Sequence, residues 1–128
     1  MKYIVVVACL LSLLTLGLTA AEKAAARGKL THTVFFKFKD TATKEQIATV
    51  ENDFRALKKK IFEIATLEWG TNVSPEKHDK GFTHAFILTF ATEKDRDAYL
   101  VHPAHKAFGE SLGGVLGDAF VIDFWSKE

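Results

Sequence analysis

The chain has 128 residues, with 17 Lys and Arg against 16 Asp and Glu for a formal charge of +1. That length accommodates one domain of ordinary size, and a charge near zero points away from nucleic acid, whose binding needs a basic surface. Cys9 is the only cysteine, so no intramolecular disulfide framework can form.

Residues 1–21 read as a secretory signal peptide. Lys2 supplies the positive start, Tyr3 to Leu18 is an uncharged and mostly apolar run, and Thr19-Ala20-Ala21 offers small residues for cleavage after Ala21. The alternative is a retained anchor, since an uncharged run from Tyr3 to Ala21 is long enough to span a bilayer. The small-residue end and the polar Glu22-Lys23 favour cleavage. Export to the periplasm or the exterior is then expected, with no membrane partner afterwards. Cleavage removes Cys9 and leaves 107 residues in which 16 basic side chains balance 16 acidic ones. Residues 22–29 read as a flexible leader, and 30–128 as a single domain without repeats.

The elements follow in the order strand, helix, strand, strand, helix, strand. Leu30 to Lys39 alternates Val34, Phe36 and Phe38 with Thr33, Phe35 and Lys37, which predicts a strand. Thr43 and Gln46 form a capping-box pattern that opens a long helix. Its apolar stripe runs through Ile47, Val50, Phe54, Leu57, Ile61 and Ile64. A second strand passes through Leu67, Trp69 and Val73, a polar loop spans Ser74 to Gly81, and a third strand covers Phe82 to Phe90. The next helix runs from Thr92-Glu93 toward Val101 and is interrupted at Pro103. A further helical stripe is expected to carry Ala107, Phe108, Leu112, Val115 and Leu116, before a last strand from Ala119 to Trp125.

Two helices cover one face of a four-stranded sheet, yet Phe35, Ala85, Ile87, Phe120 and Val121 make several strands apolar on both faces. A second copy of the same sheet is the simplest cover. The pattern therefore predicts a ferredoxin-like βαββαβ fold of the α+β class that dimerises sheet to sheet, with Ile87 and Val121 as test positions for the interface.

The chemistry is concentrated in Tyr99-Leu100-Val101-His102-Pro103-Ala104-His105, a phenol and two imidazoles within seven residues. Histidine titrates near neutrality, so such a cluster suits proton transfer. Two blander roles stand ahead of chemistry for these residues, capping of backbone groups at the proline turn and packing in the core. His102 suits a cap or turn best, because it precedes Pro103. His32 and His84 lie in phase with apolar neighbours on their strands, and His78 belongs to a charged loop. The strand order is expected to bring His32, His84 and Asp123 to one end of the sheet. Four phenylalanines, Phe36, Phe54, Phe86 and Phe108, are candidates to line an apolar ligand cavity together with His84 and His102. No metal site is expected, since the mature chain lacks cysteine and Pro103 separates His102 from His105. No nucleotide fingerprint or nucleophile elbow is present, and no cofactor is implied.

Five stretches in order, His32-Thr33-Val34-Phe35-Phe36-Lys37-Phe38-Lys39, Trp69-Gly70-Thr71-Asn72-Val73-Ser74, Gly81-Phe82-Thr83-His84, Tyr99 with His102-Pro103-Ala104-His105, and Val121-Ile122-Asp123-Phe124, resemble the stress-responsive A/B barrel (Dabb) domains. The resemblance spans about Leu30 to Phe124 and implies a dimeric α/β barrel. In polyketide-cyclising members of that family the catalytic tyrosine and histidine look like Tyr99 and His105. A strand-opening histidine and a strand-closing aspartate look like His32 and Asp123. By that likeness His105 is the base, Tyr99 the hydrogen-bond donor, and Asp123 the group that orients an imidazole. Three functions follow: a dimer that binds a small hydrophobic or aromatic ligand, a cofactor-free cyclase or aldol-type lyase, and a ligand-free structural stress protein. The first is placed ahead, because polyketide precursors are made and held inside cells while this chain is expected to leave them.

Overall fold

A computed structural model describes Gly17, Thr19 and residues 28–127. Apart from Gly17, Thr19, Gly28 and Lys29, the expected signal segment and leader lie outside the described residues. The elements are β1 (Leu30–Phe38), α1 (Lys44–Lys60), β2 (Thr66–Thr71), β3 (His84–Phe90), α2 (Glu93–Val101), α3 (Pro103–Ser111) and β4 (Leu116–Trp125). They form one antiparallel sheet in the order β2-β3-β1-β4, with the helices against one face. This is the ferredoxin-like α+β arrangement the pattern predicts. Among the described residues no helix is long and apolar enough to cross a membrane.

The capping box at the start of α1 is formed in full. The Thr43 hydroxyl accepts from the Gln46 N–H at 3.2 Å, and the Thr43 N–H donates to Gln46 Oε1 at 2.9 Å. The helix ends at Lys60, earlier than its apolar stripe, so Ile61 and Ile64 enter the core from the turn that follows. The expected helical stripe through Val115 and Leu116 also stops early. Helix α3 closes at Ser111, and Leu116 already opens β4. Gly117 explains the early strand: a Cβ there would lie 3.2 Å from the Lys37 carbonyl oxygen, where β1 and β4 pass closely beside a register shift at Lys37/Phe38.

Alternation along the strands sorts the side chains. Toward the helices point Leu30, Val34 and Phe36 of β1 with Phe86, Leu88 and Phe90 of β3, all buried. Phe36, Phe54, Phe86 and Phe108 interlock there, with ring centroids as close as 4.0 Å for Phe54–Phe86 and 5.0 Å for Phe54–Phe108. Each fully buried large side chain contributes about 1.5–3 kcal/mol. The opposite face carries Phe35, Ile87, Phe120, Ile122 and Phe124, and Phe120 is still 50 % exposed. Val121 does not belong to that face. It lies opposite Val34 on β1, on the helix side, so of the two expected interface positions only Ile87 faces away from the helices.

Candidate functional site

The helix break at His102-Pro103 builds the site. Pro103 has no N–H to give the Tyr99 carbonyl, which accepts from the His102 N–H instead at 3.1 Å. In an unbroken helix the Ala104 N–H would bond the Leu100 carbonyl. Here it donates to the His102 ring Nδ1 at 3.1 Å, so His102 is the N-cap of α3, the role its position suggested. The Leu100 carbonyl is thereby released, and it accepts a hydrogen bond from His105 Nδ1 at 3.2 Å. A carbonyl only accepts, so Nδ1 carries the proton and Nε2 of the neutral ring keeps its lone pair.

A second imidazole is locked in the same sense. On the neighbouring strands His32 and Asp123 are register partners, and His32 Nδ1 donates to Asp123 Oδ1 at 2.5 Å. The other carboxylate oxygen, Oδ2, accepts from Arg96 Nη1 at 2.6 Å, while Arg96 Nε donates to Asp97 at 2.7 Å. Between the two imidazoles stands Tyr99, 5.5 Å from the His32 ring and 4.3 Å from the His105 ring. Tyr99 is 0 % exposed. Among the described residues its hydroxyl is the one fully buried side-chain polar atom without a hydrogen-bond partner. The structure thus brings together Tyr99, His105, His32 and Asp123.

The electrostatics suit acid–base work. Burial, with the Asp123 charge adding to it, pushes the Tyr99 phenol well above its ordinary value, so it stays a protonated donor. Burial lowers His105, against the opposing pull of its Leu100 hydrogen bond and with help from the nearby His32 and His102, so the neutral base prevails at neutral pH. Partial burial works to raise Asp123, yet the hydrogen bonds from Arg96 and His32 outweigh it and hold the carboxyl below the usual range.

His84 is not at this end of the sheet. Strands β1 and β3 run antiparallel, with His32 opposite Leu88 and His84 opposite Phe36, which corrects the expectation that His84 joins His32 and Asp123. In this antiparallel pairing a residue that opens β3 stands beside the close of β1, not its start. At the far end His84 donates from Nε2 to Glu51 at 2.8 Å and accepts from the Thr83 hydroxyl at Nδ1, also 2.8 Å. Both ring nitrogens are therefore engaged. His84 and Thr83 line a concavity of about 720 Å³ with Phe35, Phe82, Ala85 and Phe120, on the sheet face away from the helices. Of the six expected ligand-lining residues only His84 borders it; Phe36, Phe54, Phe86 and Phe108 pack on one another, and His102 caps α3. Among the described residues no three His, Cys, Asp or Glu side chains converge on a metal position.

Sequence reasoning missed Arg96, the Leu100 carbonyl and Glu51. Arg96 was accessible, because it stands three residues before Tyr99 and such pairs share a helix face. The Leu100 carbonyl has no side-chain signal at all. One consequence is testable by stability alone. Tyr99→Phe deletes an unpaired buried hydroxyl whose burial costs about 1–3 kcal/mol. The variant is expected to melt at the wild-type temperature or above in a thermal scan, whereas marked destabilisation would show that the hydroxyl has a structural partner.

An α+β domain whose proline-broken helix presents a tyrosine between two tautomer-locked histidines is the class defined by this geometry. The family model for the Stress responsive A/B Barrel Domain matches residues 30–126, and the chain belongs to that family. It is similar to the stress-response A/B barrel domain-containing protein HS1 of Arabidopsis thaliana, 32 % identical over 99 residues that cover 77 % of this chain and 91 % of that one. Olivetolic acid cyclase of Cannabis sativa is 30 % identical, with 76 % and 96 % covered. Among solved structures, a hydroxynitrile lyase from Passiflora edulis superposes with a TM-score of 0.74 at 25 % identity, covering 80 % and 96 %. A ferredoxin-like protein from Bacteroides fragilis, 29 % identical with a TM-score of 0.63 over 77 % and 97 %, is described as dimeric.

Proposed function

We propose that this protein is an exported homodimer that holds a small hydrophobic or aromatic carbonyl compound beside Tyr99 and His105 and transfers protons on it without a cofactor. The observation that carries the reading is the pair of imidazoles whose Nδ1–H groups are committed elsewhere, flanking a phenol whose hydroxyl is unpaired. His105 Nε2 takes a proton either from a carbon beside the carbonyl, forming an enolate, or from the hydroxyl on a carbon that becomes the carbonyl as its leaving group departs with the bonding pair. The Tyr99 hydroxyl gives its hydrogen bond to the oxygen on which charge develops. Lyase and cyclase chemistry each start from one of these proton removals, and family relatives named as a cyclase and a lyase support the reading. The layout of residues 1–21 supports export, and the apolar outer sheet face together with the dimeric relative supports the dimer.

A second reading is binding without turnover. It is favoured by the complete burial of Tyr99 and the ring-to-ring packing of Phe36, Phe54, Phe86 and Phe108, which oblige a ligand to enter by displacing side chains. Native mass spectrometry of the protein from its own compartment tests what both readings share, a dimer that retains a small molecule. A dimer carrying a discrete small-molecule mass, on a chain that begins at Glu22, is the expected result. An empty large assembly would favour a structural role, and a chain retaining residues 1–21 would overturn cleavage.

A further inference from the structure

Among the described residues Arg96 is the only cation that touches the cluster, and it touches Asp123, the member whose one other contact within the cluster is His32. Its guanidinium bridges Asp97 through Nε and Asp123 through Nη1, and its side chain is only 21 % exposed. Asp123 lies on β4, an edge strand, where among the described residues only His32 and Arg96 hold its carboxylate. A carboxylate fixed by His32 alone can turn about its side-chain torsions. One fixed at both oxygens, from β1 on one side and α2 on the other, cannot.

We infer that Arg96 is a positioning residue: by gripping Asp123 Oδ2 it aims Oδ1 at His32 Nδ1 and so keeps the His32 Nε2 lone pair toward the Tyr99 end of the site. The groups around Asp123 are His32 from β1 and Arg96, Asp97 and Tyr99 from α2, with His105 beyond Tyr99 on α3. Arg96 also offsets the carboxylate charge, so Asp123 orients the imidazole without acting as an isolated anion beside it. The lowered Asp123 carboxyl agrees with this grip. The arrangement depends on a planar fork with two donor directions, one for each aspartate, which the single point charge of lysine does not reproduce. The functional meaning of this role rests on the proton-transfer reading, but its test needs no substrate.

The test is side-chain nitrogen-15 NMR, which distinguishes Nδ1–H from Nε2–H histidine tautomers. In the wild-type protein both His32 and His105 are expected as single Nδ1–H forms. In Arg96→Gln the His32 signals are expected to become a mixture of tautomers, while His105, held by the Leu100 carbonyl, stays unchanged as the internal reference. The Asp123 carboxyl titration is expected to move up toward the ordinary range in the same variant. Arg96→Lys should show a smaller mixture, and it decides the matter if Arg96→Gln does not fold. A His32 tautomer identical to wild type in a folded Arg96 variant would overturn the inference and leave Arg96 as a surface ion pair. That outcome would not touch the roles of His105 and Tyr99, which are tested by activity.

Discussion

His105→Ala is expected to remove proton transfer while leaving the fold in place. The suitable probe is deuterium exchange beside the carbonyl of an aryl methyl ketone in heavy water, followed by NMR, because it isolates the carbon deprotonation with which an aldol-type cyclisation begins. A positioned general base contributes about 10²–10⁴-fold, so the variant should exchange the probe at close to the buffer rate. The His105 side chain is partly exposed and its one hydrogen bond goes to the Leu100 carbonyl, so unfolding is not the expected cause of the loss. Circular dichroism checks that point.

The pH dependence has a definite sign. A lowered His105 means the neutral base persists to more acid conditions than an ordinary imidazole allows. The exchange rate should therefore rise with pH through a midpoint below the usual histidine value and then level off. Stability follows the same linkage. A histidine lowered by folding favours the neutral form, so its contribution is present above the unfolded value of about 6.5 and is lost as pH falls through the lower native one. Asp123, also lowered, stabilises above its unfolded value of about 3.9 and loses that contribution on further acidification. A wild-type protein that never accelerates exchange, or a His105→Ala variant that still does, would refute the acid–base reading.

Ile87→Lys should convert the proposed dimer to a monomer. Ile87 sits in the middle of β3 on the face away from the helices, opposite Thr33 on β1 and Glu68 on β2. In a monomer the new ammonium stands in water beside Glu68, at little cost. Against a second apolar sheet it would be taken out of water, and the effective penalty for burying one ion is several kcal/mol. Light scattering coupled to size exclusion should report half the wild-type mass with an unchanged circular dichroism spectrum. An unchanged mass would move the interface to another surface. It would also leave Phe120, Ile122 and Phe124 as an exposed apolar patch in need of a different occupant.

The histidine pair shows where reading along the chain succeeds and where it stops. His102 before Pro103 is legible as a cap, because proline forbids the next backbone bond and an imidazole nitrogen can replace it. The release of the Leu100 carbonyl to His105 follows only once the two helix segments have taken their angle. His84 is the opposite case. In sequence it resembles His32, a histidine in phase with aromatic neighbours, yet the antiparallel course of β3 carries it to the other end of the sheet and into partnership with Glu51. The four phenylalanines illustrate the same limit: their periodicity marks them as inward-facing, but whether inward means a cavity or a packed core depends on how their rings meet.

Alternation with period two, the stripe at three and four residues, the Thr43 capping box and the proline break were sufficient to determine the elements, their order and the fold class. These signals are local, and hydrogen-bond geometry within a few residues enforces them. The pairing of His32 with Asp123, 91 positions apart, the grip of Arg96 on that aspartate and the sealing of the Tyr99 hydroxyl were decided only by the tertiary structure. Strand register and helix docking set those distances, and both answer to the packing of the whole core rather than to any one segment.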